Sequence, residues 1–441
     1  MDKATTIFAV SSGAGKAGVA VIRLSGPACV QVLREMAGSI PSPRYAALRS
    51  IRNRNGETLD SGLVLWFPGP GSFTGEDCVE FHVHGGCAVV GGVLAALATF
   101  PGCRPAEAGA FARRAFDNGK IDLTEVEGLA DLIDSETEWQ RRQAHRQLEG
   151  HSGRIYEGWR QRLIGLIGLC EAGIDFADED DVPADVASKA VPDLVALIGD
   201  VREALDDDHR GERIRDGLVV VIAGPPNAGK SSLINALARR DVAIVSDRPG
   251  TTRDVLEARL DIGGVPVTVV DTAGLRESED EIERIGVDRA RARIDAADLV
   301  LWLSDDEVDS VTERMGTQEQ WQIRTKIDLS DPSMSGRIGD NRYAVSAKTG
   351  AGLDALLDGL QAFVGRTVSG EMALVTRARH RIELEDALRY MEGALRLDYV
   401  EDSELVAEDL RLAGQCLGRL TGRIDVEDVL DVIFRDFCIG K

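Results

Sequence analysis

The chain lacks a long hydrophobic run and paired cysteine motifs. No apolar stretch approaches the ~20 residues that a membrane-spanning helix needs, and the segment Leu163–Cys170 is far too short. The first residues carry neither a basic region nor a long apolar region, so we expect no signal peptide. Seven cysteines without a Cys-x-x-Cys pair predict free thiols in a reducing cytosol. These absences predict a cytoplasmic protein with no membrane partner.

Positive charge is also scarce, because the formal net charge is −23 over 441 residues. Binding to nucleic-acid phosphates needs Lys and Arg, so a nucleic acid must be met by a local basic site or through a second protein. The apolar content of 44% is ordinary for a globular protein. At roughly 150 residues per domain, the length indicates about three domains.

Periodicity divides the chain into four segments. Residues 1–120 alternate strand-like and glycine-rich stretches, which is typical of an α+β domain. Residues 121–216 and 371–441 show helical spacing, whereas residues 217–370 alternate strands and helices like a doubly wound α/β domain. Helices on both sides of this α/β insert favour one interrupted helical domain whose two ends pack together, although separate bundles fit the periodicity too.

The most informative motif is G-x-x-x-x-G-K-S at residues 224–231. It follows the apolar run Leu218–Ala223 and precedes helical spacing, which is the context of a phosphate-binding P-loop. Glycines let backbone N–H groups turn onto phosphate oxygens, Lys230 can reach the β- and γ-phosphates, and the Ser231 hydroxyl can hold Mg²⁺. The predicted nucleotide contacts here are Asn227, Ala228, Gly229, Lys230, Ser231 and Ser232.

Two switch-like motifs follow the P-loop. Residues 250–254 read G-T-T-R-D, where Thr252 can complete the Mg²⁺ coordination beside Ser231. A D-T-A-G motif begins at Asp271, which can act on the Mg²⁺ shell, and the Gly274 N–H can meet the γ-phosphate. The predicted nucleotide contacts of these motifs are Thr252, Asp271, Thr272, Ala273 and Gly274.

Two further motifs favour guanine. In T-K-I-D, the Asp328 carboxylate can accept hydrogen bonds from guanine N1 and N2, and the S-A-K motif can place a backbone N–H on guanine O6. Adenine offers no N2 donor and no protonated N1, so the pair favours GTP over ATP. The predicted base contacts are Lys326, Asp328, Ser346, Ala347 and Lys348.

Two positions depart from common GTPase patterns. Thr325 replaces the usual Asn of the guanine motif, which predicts a GTP affinity weakened by about 1 kcal/mol. Leu275 stands where Ras-like enzymes place a water-orienting Gln. From composition alone, any of the carboxylates between Glu277 and Glu283 could orient the water instead, and each could equally belong to a solvated acidic segment.

Two other patterns in residues 1–120 resemble ligand-binding motifs. Residues 13–18 fit G-x-G-x-x-G, but the β-like run Gly18–Leu24 follows them where a dinucleotide site needs a helix. Glu80, His82 and His84 alternate along one strand and therefore point to one face. Such a trio could ligate a metal, and residue types alone leave that reading open.

The chain resembles the bacterial tRNA modification GTPases called MnmE or TrmE. The resemblance rests on the α/β insert in a helical domain, the G-T-T-R-D switch, the ending C-I-G-K, and the strings E-F-H-V-H-G-G at 80–86 and F-A-R-R-A-F-D-N-G-K-I-D at 111–122. It covers essentially the whole chain. It implies an N-terminal α+β folate-type and dimerisation domain at 1–120. It also implies an all-helical domain, at 121–216 and 371–441, interrupted by a Ras-like P-loop G domain at 217–370.

The resemblance further implies a cytoplasmic homodimer that works on tRNA with a flavin-dependent partner of the MnmG or GidA type. Such enzymes place a carboxymethylaminomethyl-type group on C5 of the wobble uridine, and 5-formyltetrahydrofolate is the expected one-carbon source. The positions that match the folate site are Arg23, Glu80, Lys120 and Lys441. Chemically, Arg and Lys can pair with glutamate-tail carboxylates, and Glu80 can hold the N–H edge of the pterin.

A K⁺ ion is expected in the nucleotide site of this family, where it does what an arginine finger does elsewhere. The matching K⁺ ligands are Asn227, Ser246, the Arg248 carbonyl and Thr251, and Asn227, Ser246 and Thr251 are also expected to contact GTP. Many members have Thr where this chain has Ser246. Glu283 matches the carboxylate that orients the water. The catalytic residues implied are therefore Lys230 and Glu283, with Cys438 left open between a chemical role and a packed thiol.

Two other functions fit parts of the sequence. One is a ribosome-assembly or other translation GTPase switch without modification chemistry, and the other is a scaffold whose G domain only gates partner docking. Folate binding by residues 1–120 would distinguish either of them from a modifying enzyme.

Overall fold

A computed structural model describes most of the chain. The described residues are 5–13, 15–175, 186–240, 242–244, 257–271, 293–305, 318–370 and 372–424, with Leu430, Ile433, Phe434, Phe437 and Gly440. They form two compact units. Unit 1 holds the described parts of Met1–Ala130, Gln147–Ile167 and Arg411–Lys441, and unit 2 holds those of Asp131–Arg146 and Gly168–Leu410.

Unit 1 contains a six-stranded sheet in the order β3-β4-β5-β2-β1-β6. Its strands are β1 (Thr6–Val10), β2 (Ala17–Ser25), β3 (Ala47–Arg52), β4 (Thr58–Phe67), β5 (Cys78–Gly85) and β6 (Cys103–Pro105). Only β1 and β6 pair in parallel among these strands. Helices α1 (Cys29–Ala37) and α2 (Cys87–Ala98) bury their apolar side chains against inward residues such as Ile22 and Phe81.

The segment after the six-stranded sheet is helical. Its helices are α3 (Ala110–Asp117), α4 (Leu123–Asp134), α5 (Glu138–Leu148), α6 (His151–Asp175), α7 (Val191–Leu205) and α8 (Arg210–Asp216). In unit 1, the apolar side chains of Leu430, Phe434 and Phe437 join a core with Leu123 and Val126 of α4. Residues near the end of the sequence therefore complete the N-terminal unit.

Unit 2 contains a seven-stranded sheet in the order β12-β13-β11-β10-β7-β9-β8. Its strands are β7 (Leu218–Ala223), β8 (Glu257–Ile262), β9 (Val265–Asp271), β10 (Leu299–Ser304), β11 (Glu319–Arg324), β12 (Gly336–Gly339) and β13 (Arg342–Ala344). The five inner strands run parallel, and β8 and β12 are antiparallel edges. The predicted α/β domain with a mostly parallel sheet is confirmed.

Strand β7 is a continuous apolar run because both of its faces are covered. Val220 and Ile222 face a core that includes side chains of α9 (Lys230–Ala238) and α10 (Leu353–Val368), and Val221 and Ala223 face a second cluster. Since the inner strands are parallel, their carboxyl ends meet at one edge of the sheet. The predicted nucleotide motifs follow those ends.

Helices that precede and follow this sheet in the sequence pack together. α7 packs against α11 (Ala378–Arg396), and the last long helix is α12 (Ser403–Thr421). The Arg381 guanidinium donates to Asp207 Oδ1 at 2.7 Å and to Glu212 Oε2 at 3.1 Å, and all three side chains are largely buried. The expectation that helical segments before and after the insert meet is confirmed for α7 and α11.

Within the described ranges, no helix is long and apolar enough to cross a membrane. The six cysteines in those ranges are free thiols: Cys29, Cys78, Cys87, Cys103, Cys170 and Cys416.

Candidate nucleotide and folate sites

The P-loop lies between β7 and α9, in the strand–loop–helix context that the sequence predicts. Its backbone is left-handed at three positions, with φ of 142° at Gly224, 62° at Asn227 and 91° at Gly229. A Cβ atom at Gly224 would collide with the Leu303 carbonyl of β10, so only glycine fits there. Asn227 is exposed and adopts a left-handed conformation, which Asn tolerates better than most residues.

The two residues that begin α9 have defined partners. The Lys230 ammonium is largely buried and donates to the carbonyls of Gly224 (3.0 Å) and Pro225 (2.9 Å). The Ser231 hydroxyl donates to Asp271 Oδ2 at 2.7 Å, and Asp271 is 1% exposed at the end of β9. A hydroxyl and a carboxylate, both hard oxygen donors, thus meet beside a lysine at a helix N-terminus. This donor set fits Mg²⁺ beside a phosphate.

Thr325 connects the P-loop to the predicted guanine motif. Its side chain is 5% exposed, and its hydroxyl lies 2.7 Å from the Ala228 carbonyl and 3.3 Å from the Ser304 carbonyl. The hydroxyl therefore holds a P-loop carbonyl to the end of β11. The sequence identified Thr325 only as a departure from Asn, and the structure adds this supporting contact.

The predicted base-recognition residues also come together. The Ser346 hydroxyl, which follows β13, donates to Asp328 Oδ1 at 2.6 Å and accepts from the Thr349 N–H at 3.2 Å. Lys326 has a φ of 55°, and its ammonium lies 2.9 Å from Asp305 Oδ2. This hydrogen bond lowers the pKa of Asp305. Asp328 is thus oriented by Ser346 at the same sheet edge as the P-loop.

The other predicted nucleotide residues have simple placements. Ala228 is buried in the loop, Ser232 is exposed in the first turn of α9, and Lys348 is exposed after β13, with Ala347 partly exposed. Several predicted positions lie outside the described residues: Ser246, Arg248, Thr251, Thr252, Thr272, Ala273, Gly274 and Glu283, together with Cys438 and Lys441 of the folate and terminal predictions.

A second cluster of predicted residues lies in unit 1. Arg23 on β2 stands directly opposite Glu80 on β5, and its Nε and Nη2 lie 3.1 and 3.0 Å from Glu80 Oε1. His82 Nε2 lies 3.2 Å from Glu80 Oε2. The Arg23 guanidinium also lies 5.8 Å from the ring centres of Phe73 and Phe111. A charged pair beside two aromatic rings fits a flat, anionic ligand such as a folate.

Two further contacts in unit 1 involve Lys120 and the end of the sequence at Gly440. Lys120 donates to the Pro70 carbonyl at 3.1 Å, and its stem passes close to Gly75. The Ser11 hydroxyl, just after β1, donates to the Gly440 carbonyl at 2.9 Å. Since Arg23 is the register partner of Ala9 in β1, Gly440 lies at the end of the strand next to Arg23.

The two competing patterns are not supported. The end of the G-x-G-x-x-G motif and the residues after it form strand β2, where a dinucleotide-binding motif needs a helix. Glu80 and His82 share a contact, but His84 Nδ1 lies 2.9 Å from Asp60 Oδ1 instead. Among the described residues, no group of three or more metal-ligating side chains is present.

Sequence reasoning missed several residues that shape these sites. Phe73 and Phe111 flank Arg23, and Asp305 holds Lys326. Asp305 directly follows an apolar strand, which is a signal that could have identified it. Arg114 is 4% exposed and donates to Glu76 Oε2 at 2.6 Å. It lies in the string 111–122, which contributed only to the family resemblance. Aromatic contacts across distant segments leave no comparable signal.

Substitution of Thr325 tests whether its hydroxyl supports the P-loop and whether it binds guanine less well than Asn would. We expect Thr325→Val to weaken GTP binding about fivefold, because the Ala228 carbonyl loses its donor at a cost of about 1 kcal/mol. Thr325→Asn should bind GTP about fivefold more tightly, because an amide can reach guanine N7. Titration with a fluorescent GTP analogue measures both, with Thr325→Ser as the conservative control. Unchanged affinity in the Asn variant would contradict the idea that Thr325 weakens the site.

Comparison with known proteins covers the whole chain. Residues 6–120 match the family model described as the GTP-binding protein TrmE N-terminus, and residues 123–438 match that of the MnmE helical domain. The chain is 54% identical to the tRNA modification GTPase MnmE of Parvibaculum lavamentivorans, over 99% of this chain and 100% of that protein. It is 53% identical to the protein of the same name from Brucella canis, over 99% and 98%.

A solved structure gives a weaker match. The crystal structure of a point variant of Aquifex aeolicus Era bound to GDP·AlF4⁻ is 23% identical, covering 40% of this chain and 66% of that one. The TM-score is 0.25.

Proposed function

Because the chain belongs to the family of tRNA modification GTPases named MnmE, we propose that it binds Mg²⁺·GTP at the P-loop and uses its hydrolysis in modifying C5 of the wobble uridine of tRNA. The observation that carries the nucleotide part is the contact of Ser231 with buried Asp271, beside the largely buried Lys230. Lys230 already points into the loop, toward the carbonyls of Gly224 and Pro225.

Different side chains of the nucleotide site bind the phosphates, Mg²⁺ and the guanine base. Lys230 and the N-terminus of α9 bind phosphate, and Ser231 with Asp271 would hold Mg²⁺, which neutralises phosphate charge when bound. Asp328, oriented by Ser346, accepts from the guanine edge. Thr325 keeps the phosphate-binding and base-binding loops in register.

We also propose that K⁺ binds beside the P-loop. Asn227 supports this, because its exposed side chain sits at the left-handed turn of the loop and offers an oxygen near the phosphates. The other expected ligands are Ser246, the Arg248 carbonyl and Thr251, with Glu283 orienting the water. A fixed cation there would offset the charge that develops on the phosphates.

The K⁺ proposal predicts a cation dependence of hydrolysis. GTP turnover by the intact protein should be about tenfold faster in KCl than in NaCl at equal ionic strength, which corresponds to about 1.4 kcal/mol of barrier. Phosphate release measures the rate, and Asn227→Ala should remove the difference between the two salts. Equal rates in KCl and NaCl for the wild-type chain would contradict the proposal.

The second part of the proposed function lies in unit 1. We propose that 5-formyltetrahydrofolate binds at Arg23 and Glu80, with Lys120 and Lys441 at its glutamate tail. The pairing of Arg23 with Glu80 next to two aromatic rings supports this. Folate would supply the one-carbon unit and a flavin-dependent MnmG-type partner the redox step, with Cys438 as a candidate thiol. We place the enzyme in the cytoplasm as a homodimer.

Substitution of Arg23 tests the folate part in the protein and in cells. Arg23→Ala should bind 5-formyltetrahydrofolate about tenfold more weakly, because the ligand has one charge-assisted hydrogen bond fewer. Calorimetry measures folate binding. Mass analysis measures the modification of wobble uridine in cells that lack the native gene and express either the wild-type or the variant protein. Arg104→Ala, an exposed arginine of the same unit, is the control. Wild-type binding and modification in Arg23→Ala would contradict the assignment.

The alternative of a ribosome-assembly switch is disfavoured, because residues 6–120 match the TrmE N-terminus. The scaffold alternative is disfavoured by the pairing of Arg23 with Glu80 beside two aromatic rings, which suits a folate ligand.

A further inference from the structure

Charge is divided unevenly along this acidic chain. Residues 1–120 hold 12 Lys and Arg against 9 Asp and Glu, whereas residues 121–441 hold 39 against 65. The first segment is therefore slightly basic, and the rest carries the whole negative excess. A polyanion would be repelled by most of the protein and attracted only locally, to the first segment.

Within that segment, arginines gather along one strand. No Asp or Glu occurs between Glu35 and Glu57, and four arginines do: Arg44, Arg49, Arg52 and Arg54. We call these four residues the basic edge. They lie on β3 or beside its ends, and β3 is an edge strand of the six-stranded sheet. One side of β3 is therefore free of a neighbouring strand within that sheet.

The basic edge is extended and partly preordered. The Arg44 N–H donates to the Trp66 carbonyl at 2.8 Å, so the chain follows β4 from Arg44 onward. The strand itself, Ala47–Arg52, rises roughly 17 Å at about 3.3 Å per residue. The Arg44 guanidinium lies 5.8 Å from the Phe67 ring, and that of Arg54 lies 5.1 Å from the Phe100 ring.

Exposure along the edge suits a nucleic acid. Tyr45 is 73% exposed and Leu48 is 69% exposed, so an aromatic ring and an apolar side chain stand among the arginines. Arg52 is exposed, whereas Arg49 lies on the strand face of buried Ile51, is partly buried, and donates through Nη1 to the Leu48 carbonyl at 3.0 Å. Arginines order a phosphate backbone, and an exposed Tyr offers a stacking surface for an unpaired base.

We propose that the basic edge contacts the phosphate backbone of tRNA. This rests on the proposed function, which needs tRNA to reach a protein of net charge −23. The competing occupant is β3 of a second copy, paired edge to edge. Pairing would bring Arg49 and Arg52 of β3 in one copy close to the same two residues of the other, and like charges opposed across strands destabilise a sheet. Charge therefore favours the RNA.

Salt-dependent binding tests the proposal in the full-length chain. The triple variant R44Q/R49Q/R52Q removes three charges but keeps Arg54, which pairs with Glu35 at 3.0 Å. The matched control, R337Q/R342Q/R366Q, removes three exposed arginines from unit 2. The probe is an unmodified tRNA transcript, and its affinity is measured by anisotropy over a range of KCl concentrations.

We expect the basic-edge variant to bind at least about tenfold more weakly near physiological salt. Its slope of log affinity against log salt should fall by about two to three, at roughly 0.7–0.9 for each phosphate that is no longer neutralised. The control should stay within about twofold of wild type. Melting temperature and GTP turnover verify that both variants fold.

Three results would overturn the inference: no measurable tRNA binding by the wild-type chain, equal slopes in the basic-edge variant and the wild type, or an equal loss in the control. A drop in sedimentation mass of the basic-edge variant alone would assign the edge to a second copy instead. Failure of the proposed function itself would appear separately, as unaltered wobble uridine in cells lacking the chain. If wobble uridine modification depends on the chain but the basic-edge variant and the wild type have equal salt slopes, only the role of the basic edge is refuted.

Discussion

Replacing Asp271 with Asn should raise the Mg²⁺ concentration needed for half-maximal GTP hydrolysis by about 10–100-fold. Asp271 is 1% exposed and accepts from the Ser231 hydroxyl at 2.7 Å. The carboxylate contributes the negative charge and the fixed acceptor that orient Ser231 toward a dication. An amide of the same size keeps the packing but removes the charge. Magnesium titrations of GTP turnover measure the effect.

A control and a double variant sharpen this test. Asp261→Asn removes a carboxylate from the same pair of strands, where it accepts from the Gly264 N–H at 2.8 Å, and should leave the Mg²⁺ requirement unchanged. If Ser231 and Asp271 act on one ion, Ser231→Ala combined with Asp271→Asn should cost little more than the larger single change. Additive costs would show that the two residues act separately.

Replacing Gly224 with Ala should destabilise unit 2 by about 2–5 kcal/mol, through backbone strain and a steric clash. Gly224 has a φ of 142°, and its added Cβ would collide with the Leu303 carbonyl. Both penalties act without nucleotide, so the melting temperature of the nucleotide-free protein should fall by roughly 5–15 °C. GTP binding should be lost as well, because the clash moves the loop.

The matched control for Gly224 is Gly365→Ala. Gly365 lies in α10 of the same unit, exposed and with open space around its Cα, so an added methyl group meets nothing. Alanine in a helix is favoured over glycine by about 0.5–1 kcal/mol, so this variant should melt at the same or a slightly higher temperature. A Gly224 variant that melts like the control would contradict the assigned clash.

The nucleotide site was the easiest part to predict, because each of its motifs is short and follows a strand. The apolar run before Gly224 and the helical spacing after Lys230 fixed strand, loop and helix from local pattern alone, as β7 and α9 confirm. In a parallel sheet the carboxyl ends of the strands share one edge, so residues far apart in sequence could be assigned to one site.

The supporting contacts were not predictable in the same way. The Thr325 hydroxyl holds a carbonyl 97 residues earlier, and Arg23 is flanked by Phe73 and Phe111. Neither contact has a sequence period or a fixed spacing. Strand partners are likewise not specified by spacing: edge strand β8 pairs antiparallel with β9 from Val265 to Val270.

Sequence alone therefore determined the family, the parallel sheet and the order of the GTP motifs, because these depend on local periodicity and short strings. Only tertiary structure decided which carboxylate meets Ser231, what Thr325 supports, and that Gly440 lies beside β1. It also decided that four arginines of an acidic chain lie on or beside β3, an edge strand of the six-stranded sheet. Those outcomes depend on distances between segments far apart in the chain, which composition and spacing do not specify.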